Sequence, residues 1–355
     1  MTNEFRNNTI TVVALFTGLL AIAVATTFFA GDDIGSFGLT IVSGLFQGML
    51  LFLVASGLSI VFGLMDVLNL AQGAFFTVGA YIAWQVHHTP ALEAAIPNGD
   101  LRFLLAVISA IIVGAVLGVF LERVLLQPLY ERPIFQIVLT FGLGIVMGEV
   151  VKFIWGTAAY QWDAINNSFS LIEGQFVVFG QQFSIYRLFV IVIGFILIAS
   201  IAILLQRTRI GIIIRAGVED SEMVEAMGIN VRLVFTGVFV LGSAVASLGG
   251  AIAAPFLGAS LGIGQGFLLG AIAVVVLGGL GSYEGTAIGS VMVGLSIAIV
   301  SKLTTVLNSV QLSEGHPLTF LVDLFSQTVW SSMTPMILLA LVLLLRPAGL
   351  FGKER

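Results

Sequence analysis

The sequence predicts an all-α protein, a polytopic transmembrane helical bundle with about ten membrane segments. Three observations lead to this prediction: 58% of the 355 residues are hydrophobic, only 9% are charged, and long stretches contain no charged side chain. Soluble domains carry about a quarter charged residues, so 14 basic and 19 acidic side chains are too few to give a protein of this size a hydrated surface. We therefore expect lipid to be the solvent for most of the surface.

The uncharged stretches define the predicted segments, because crossing the hydrocarbon core takes about 20 apolar residues. One stretch, Leu233–Tyr283, is too long for a single crossing, and Pro255 and several glycines mark a turn or broken helix that divides it. Glycine-rich breaks can also make some segments half-helices. The stretches are Asn7–Gly31, Ile34–Met65, Val67–Leu92, Phe103–Leu121, Pro133–Gly148, Leu188–Gln206, Leu233–Tyr283, Gly285–Ser301 and Leu324–Leu345.

Lysine and arginine are distributed unevenly between the predicted loops. With the N-terminus inside, only four of the 14 fall on the outer side: Arg102, Lys152, Arg187 and Lys302. This bias predicts that both termini are cytoplasmic. We expect the first segment to be a retained span, since it has nearly full spanning length and lacks a clear small-x-small cleavage site. Glu149, three residues before Lys152, is expected to form a local ion pair with it.

Several kinds of chemistry are excluded or disfavoured by the sequence. There is no cysteine, which excludes disulfides and thiolate metal sites. A phosphate-binding loop needs Gly-Lys followed by Ser or Thr, whereas the three lysines precede Phe153, Leu303 and Glu354. The histidines, His87, His88 and His316, form no metal-binding pattern and are expected to be solvated loop residues. We therefore predict no catalytic residue, no metal site and no nucleic-acid partner, and any ATP-driven motor must be another polypeptide.

The region GLSIVFGLMDVLNLAQGAFFTVGAY (Gly57–Tyr81) carries polar residues between two apolar runs. Asp66, Asn69 and Gln72 are spaced by three, so on a helix they would share one face. In one interpretation, these residues and Gly73 line or gate a solute path, since polar groups in a membrane need partners or water. In the other, Asp66 is an ordinary turn residue and Asn69 caps a helix. Both interpretations fit the sequence.

The longest predicted cytoplasmic loop, residues 207–232, contains the run TRIGIIIRAGVEDSEMVEAMGINVR. A short helix fits Ser221–Met227, and Gly228 is a natural C-cap. The alternative is a solvated loop with one helical turn. Exposed methionines on a short amphipathic helix favour docking into a groove of a partner. The residues expected to form this surface are Glu222, Met223, Glu225, Ala226, Met227 and Gly228.

The run LGGLGSYEGTAIG (Leu277–Gly289) places four glycines around a lone Glu284. We expect Gly278, Gly279, Gly281 and Gly285 to form a break between two segments at the cytoplasmic face. Elsewhere, pairs such as Gly44/Gly48, Gly114/Gly118 and Gly144/Gly148 have the spacing that lets membrane helices approach closely.

Together these motifs resemble a known family, the permease subunits of bacterial and archaeal branched-chain amino-acid ABC transporters of the LivH type. The resemblance rests on GLMDVLNLAQGAFFTVGAY (Gly63–Tyr81), RAGVEDSEMVEAMGINV (Arg215–Val231), LGGLGSYEGTAIG, and the ending LLLRPAGLFGK (Leu343–Lys353). The motifs occur in the order of the family, and the resemblance covers the chain from about Leu39 onward. One departure is Gln72, where family members commonly have histidine.

The resemblance implies a single permease domain over residues 1–355 in the cytoplasmic membrane of a prokaryote. It also implies a second permease subunit, homologous or identical, two cytoplasmic ATPase subunits that hold ATP and Mg²⁺, and an extracytoplasmic solute-binding protein. This chain would carry no cofactor of its own. Within the cytoplasmic coupling loop 207–232, Arg215–Asn230 match the family's loop that contacts the ATPase, so the resemblance implies a coupling role for Glu222, Glu225, Ala226 and Gly228. A permease for urea or short amides, or an ion-coupled secondary transporter, remains an alternative, whereas a membrane-embedded enzyme is disfavoured.

Overall fold

The computed structural model describes residues 2–29, 31, 34–130, 132–162, 169–178, 181–219, 221–309, 324–346 and 348–352. Regular structure in these residues is helical except for one antiparallel hairpin of two short strands. The helices are α1 (Thr2–Phe29), α2 (Ile34–Met65), α3 (Gln72–His87), α4 (Pro90–Ala95), α5 (Gly99–Leu121), α6 (Pro133–Trp155), α7 (Ser170–Glu173), α8 (Ile185–Arg207), α9 (Arg209–Glu219), α10 (Ser221–Ala226), α11 (Val231–Leu257), α12 (Ile263–Gly278), α13 (Tyr283–Ser309) and α14 (Val329–Leu345), and the strands are β1 (Gln175–Val178) and β2 (Gln181–Ser184). A π-helical turn, Glu122–Leu126, and a 3-10 turn, Gln127–Leu129, extend α5.

Six helices in the described part of the chain are long and apolar enough to cross a membrane. They are α2, α5 with the turns that follow it, α6, α8, α11 and α13. Shorter apolar helical segments lie in α1, α12 and α14. With 16 residues each, α3 and α12 are roughly 24 Å long, less than the ~30 Å hydrocarbon core. The all-α polytopic class is therefore confirmed, while the count of ten segments stays a prediction.

The two ends of the bundle differ in charge. α8 ends and α11 begins at the same end, and α9 and α10 connect them. Four arginines lie in this region, which we call the basic end: Arg207 at the end of α8, Arg209 and Arg215 in α9, and Arg232 at the start of α11. Gln206 there donates a hydrogen bond to Glu284, so the α12–α13 turn lies at this end too. We call the other end, where α3 ends and α8 begins, the opposite end. That the basic end and both termini are cytoplasmic stays a prediction.

α2 lies at the centre of the bundle, and glycines let its neighbours approach closely. Its contact with α13 involves Gly48, where an added Cβ would lie 2.7 Å from the Ser290 carbonyl oxygen. On the other side, Gly114 of α5 faces α11, where a Cβ would overlap the Ser247 hydroxyl. Gly148 of α6, by contrast, has no neighbour within 4 Å of an added Cβ among the residues described. The glycine spacing thus marks close packing at only some of the predicted positions.

The helices form two groups of four with matching packing partners. In the first group, α2, α3, α5 and α6, the short helix α3 packs on α5, on α6 and on α11. In the second, α11, α12, α13 and α14, the short helix α12 packs on α13, on α14 and on α2. α2 runs toward the basic end and α11 runs away from it, so the groups have opposite directions. Inverted repeats of this kind are common in transporters.

Two expectations about charged and titratable side chains at the opposite end have different outcomes. The ion pair is confirmed, because Lys152 Nζ lies 3.1 Å from Glu149 Oε2. The prediction that His87 is solvated is wrong, because this residue is 0% exposed. α3 ends beneath Trp162, whose ring centroid lies 5.1 Å from that of the imidazole. His88 is partly buried, with Nδ1 2.9 Å from the Trp84 carbonyl. His316 lies outside the described residues.

Candidate functional site

The link between α2 and α3 is not helical. α2 ends at Met65, and Asp66 follows with a left-handed backbone (φ 53°) and an exposed side chain. Aspartate is one of the residues that tolerate this conformation. The prediction that Asp66, Asn69 and Gln72 share a helical face is wrong, because the chain leaves the helix at Asp66 and α3 begins only at Gln72. The alternative interpretation of Asp66 as a turn residue agrees with this geometry.

Asn69 and Gln72 are fully buried and hydrogen-bonded to each other. Asn69 Nδ2 donates to Gln72 Oε1 at 3.2 Å, and Asn69 Oδ1 accepts from the backbone N–H of Ala71 at 3.1 Å. Gln72 Nε2 donates to the Gly242 carbonyl of α11 at 3.0 Å. The amide fits because Gly57 of α2 lacks a Cβ, which would overlap it. These side chains therefore bind the start of α3 to α11; their role beside a solute path stays a prediction.

The two short helices begin against each other inside the bundle. Gly73 is the second residue of α3 and Gly264 the second of α12, and both are buried. A Cβ on Gly73 would lie 2.7 Å from the Gly264 carbonyl oxygen, and one on Gly264 would overlap the Gly73 carbonyl. Thr77 bridges them, since its hydroxyl donates to the Gly73 carbonyl at 3.1 Å and accepts from the Gly264 N–H at 3.2 Å. Interrupted helices that start inside the bundle often form the solute sites of transporters.

The predicted glycine break lies between α12 and α13 at the basic end. α12 ends at Gly278, and α13 begins at Tyr283. Gly279 and Gly281 have φ values of 104° and 82°, which other residues rarely adopt. A Cβ on either Gly278 or Gly285 would overlap the backbone of the other. The four glycines thus form a tight backbone-to-backbone turn.

The C-terminal segment packs on this turn. The backbone N–H of Leu350 donates to the Leu277 carbonyl at 2.9 Å, and that of Phe351 donates to the Gly278 carbonyl at 3.0 Å. A Cβ on Gly279 would overlap the backbone nitrogen of Gly352. The two motifs are far apart in sequence, so spacing gave no signal of this contact.

The short helix predicted in the α8–α11 connection is α10, one residue shorter than expected. Gly228 follows it with φ 85°. The Gly228 N–H donates to the Glu225 carbonyl at 2.9 Å, and the Ile229 N–H donates to the Val224 carbonyl at 3.3 Å. This pair of bonds is a Schellman motif. Because the Val224 side chain is only 2% exposed, α10 is also anchored to the rest of the protein.

α10 presents an exposed surface at the basic end. Met223 and Met227 are 64% and 65% exposed, and Glu225 and Ala226 are exposed as well. The side chain of Glu222 lies outside the described part of the structure. A cleft of about 430 Å³ lies beside this surface, and its lining residues are Glu225, Gly228, Ile229, Asn230 and Arg232. Large exposed apolar side chains grouped around a cleft are typical of interaction sites.

A further contact, which no sequence pattern predicted, holds the α2–α3 link against α6. The Thr140 hydroxyl donates to the Leu68 carbonyl at 3.2 Å and accepts from the Leu70 N–H at 3.3 Å. Thr140 is fully buried. A lone threonine in an apolar stretch was the only available signal, and it does not indicate which backbone it contacts.

This chain is similar to a known protein family and to several permease proteins over most of its length. A family model described as "Branched-chain amino acid transport system / permease component" matches residues 40–345. Similar proteins include the high-affinity branched-chain amino acid transport system permease protein BraD of Pseudomonas aeruginosa, 28% identical over 326 residues that cover 88% of this chain and 95% of BraD. LivH of Escherichia coli, named in the same way, is 26% identical over 319 residues, covering 88% and 94%.

An archaeal protein is similar as well. A probable branched-chain amino acid transport permease protein LivH of Methanocaldococcus jannaschii is 25% identical over 263 residues, which cover 71% of this chain and 77% of that protein. No solved structure matches the chain. Because the family model covers most of the sequence and six helices can cross a membrane, this chain is a multi-pass membrane protein that belongs to the permease-component family of branched-chain amino acid transport systems.

Proposed function

We propose that this chain is the permease subunit of an ATP-driven importer that carries branched-chain or similar hydrophobic amino acids across the cytoplasmic membrane of a prokaryote. It pairs with a second permease and works with two ATPase subunits and a solute-binding protein. The printed names of BraD and LivH support the substrate class. The observation that carries the proposal is the exposed surface of α10, which is suited to binding a partner. The sequence contains no phosphate-binding loop, so the ATPase must be that partner rather than part of this chain.

α10 is both exposed to a partner and firmly attached to the rest of the protein, as a coupling helix must be. Its exposed Met223 and Met227 suit docking into a groove, since methionine side chains adapt to a partner's surface. The buried Val224 and the turn at Gly228 fix the helix to the bundle rather than leaving it on a loose loop. Only Ile229 and Asn230 separate this turn from α11, and Asn230 caps α11 by accepting the Leu233 N–H at 3.1 Å.

α11 extends this connection to the centre of the protein. It packs on α2, α3 and α5, and Gly242 accepts the hydrogen bond of Gln72 at the start of α3. ATP binding in the motor subunits shifts α10 and α11 together, and the contact between the two short helices moves with α11. The importer alternates between outward and inward openings, and the partners bias the populations of these two states.

In this proposal the basic end faces the cytoplasm and both termini lie there, consistent with the positive-inside rule. The ATPase subunits then bind at α10, and the solute-binding protein delivers its ligand at the opposite end.

Charge reversal on α10 tests the coupling role. The complete importer is reconstituted in liposomes, with the double variant Glu222→Lys/Glu225→Lys and the single variant Glu225→Lys. We expect leucine uptake to fall at least about tenfold in the double variant, because like charges placed at an interface cost several kcal/mol. ATP hydrolysis by the motor subunits should continue without being stimulated by the liganded binding protein.

The matched control is Glu149→Lys, the same reversal at an exposed site on α6. It should transport leucine as the wild type does. Uptake at wild-type rate by the double variant would count against α10 as the coupling surface. Wild-type uptake of urea or acetamide in place of leucine and valine would refute the substrate class.

A further inference from the structure

A cavity of about 300 Å³ opens at the opposite end of the bundle, between α2, α8 and α13. Its walls contain two cationic side chains, Arg187 at the start of α8 and Lys302 near the end of α13. Hydroxyl groups add to this polar lining, from Thr40, Ser43, Ser301 and Thr305. The described residues that line the cavity include no carboxylate. It is therefore an electropositive compartment.

The guanidinium of Arg187 is held among aromatic rings. Its Cζ lies 5.1 Å from the ring centroid of Phe256, 5.7 Å from Phe46 and 5.9 Å from Phe183. Nη1 donates to Ser43 Oγ at 3.4 Å, while Nε is buried with no hydrogen-bond partner in the described residues. Arginine has five N–H donors in a fork that matches a carboxylate. Nε of Arg187 is thus a donor available to an oxyanion in the cavity.

Lys302 adds a second positive charge to the same compartment. Its Nζ donates to Ser36 Oγ at 2.6 Å, which holds the ammonium at the contact of α13 with α2. Arginine and lysine side chains form strong, charge-assisted hydrogen bonds with carboxylates. Two such side chains lining one cavity indicate a site for an anionic group.

A larger cavity of about 750 Å³ adjoins the first. The two share part of their lining, namely Phe46, Gln47, Phe256 and Ser301. The remaining wall is largely apolar and includes Leu50, Leu51, Ile263, Phe267 and Ile297. Small-molecule sites typically have this size and this combination of apolar walls with a few polar groups. A cationic compartment and an apolar compartment therefore lie side by side.

We propose that these two cavities bind the amino acid that the chain translocates, with its carboxylate on Arg187 and its hydrocarbon side chain in the apolar cavity. This inference rests on the proposed function. The guanidinium can hold the carboxylate through two parallel hydrogen bonds, and the rings of Phe46 and Phe256 lie beside it. The oxygens of Gln47 and Ser301, which both cavities share, can accept hydrogen bonds from the α-ammonium group.

Ligand-induced stabilisation of the full-length chain tests the site. The chain is placed in nanodiscs of phosphatidylcholine, and its thermal unfolding is followed with increasing ligand. We expect L-leucine and 4-methylpentanoate, which both carry a carboxylate, to raise the midpoint, because a ligand that binds only the folded state stabilises it. Leucinamide lacks the carboxylate and should have no effect. Equal stabilisation by leucinamide, or no response to leucine, overturns the proposal.

Two variants localise the effect. Arg187→Gln removes the guanidinium, and Thr305→Asp keeps it but places a carboxylate in the exposed part of the lining. Each should weaken leucine binding at least about tenfold. Arg187→Gln removes hydrogen bonds to a charged group, and Thr305→Asp places a negative charge in the compartment that receives the carboxylate. The control Lys152→Gln removes one exposed positive charge outside both cavities and should bind leucine normally. Unchanged binding in both site variants overturns the proposal, and Thr305→Asp decides it even where Arg187→Gln does not fold.

A lipid phosphate presents similar oxyanion chemistry, so one arm adds phosphatidylglycerol to the nanodiscs. If this lipid stabilises the wild type but not Arg187→Gln and abolishes the leucine response, the occupant is a lipid headgroup and the proposal is overturned. Uptake by the complete importer separates this inference from the proposed function. Normal leucine uptake by Arg187→Gln would refute the proposed binding site but not the proposed function. Leucine binding without any uptake by the wild type would support the binding site and refute the proposed function.

Discussion

Replacing Gln72 with leucine tests whether its buried amide holds α3 to α11. The substitution keeps a side chain of similar size but removes a donor to the Gly242 carbonyl and an acceptor for Asn69 Nδ2. Gly242 lies inside α11, where its carbonyl also accepts the backbone hydrogen bond of the helix. Losing the bond from Gln72 therefore costs less at this carbonyl than at Asn69. The Asn69 amide is fully buried and loses its partner, which costs about 1–3 kcal/mol. We expect a destabilisation of about 2 kcal/mol, a roughly 30-fold change in the folding equilibrium.

The assay is equilibrium unfolding of the purified chain in dodecyl maltoside as the fraction of SDS increases, followed by tryptophan fluorescence. Gln85→Leu is the matched control, the same change in the same helix at an exposed position where water replaces the lost bonds. Gln72→His should stay within about 1 kcal/mol of the wild type, since a neutral imidazole also offers one donor and one acceptor. Equal stability of Gln72→Leu and the wild type, or equal loss in the Gln85 control, would refute the role assigned to the amide.

Two glycine substitutions test the close contacts. Gly264→Ala places a methyl group on the Gly73 carbonyl and should cost about 1–3 kcal/mol. Gly266→Ala, whose methyl group would have no atom of the described residues within 4 Å, should unfold like the wild type. A stable Gly264→Ala in the same SDS titration would contradict the packing of the two short helices. Gly279→Ala should destabilise more than Gly228→Ala, because both have positive φ but only the first meets backbone. Equal unfolding midpoints would show that the C-terminal segment does not pack on the turn.

Local signals in the sequence predicted the features that depend on neighbouring residues. Apolar length gave the helices, and the glycines after Pro255 marked the point at which α11 gives way to α12. The pattern at Ser221–Gly228 predicted α10 and its cap, because a Schellman turn is formed by adjacent residues and needs a glycine at one position. These features depend little on contacts between residues that are distant in the sequence.

Features that depend on distant residues were missed or misassigned. The spacing of Asn69 and Gln72 suggested a polar helical face, but their partners are each other and Gly242, far along the chain. His87 was predicted to be a loop residue because the sequence shows that it lies near the end of a span. The sequence does not show that Trp162, from a distant loop, covers it. Arg187 was placed on the outer side with three other basic residues, and no local pattern indicated the rings that surround it.

The glycines that let the short helices touch also explain how a force applied at the basic end can reach a solute path. Where side chains separate two helices, rotamer changes can absorb a small displacement. At Gly73 and Gly264 the backbones are in contact, and Thr77 bonds to both. α11 is bonded to the start of α3 through Gln72, so we expect a shift of α11 to move these contacts as a unit. Interfaces packed this tightly change between discrete arrangements rather than deform continuously, which is the property that alternating access requires.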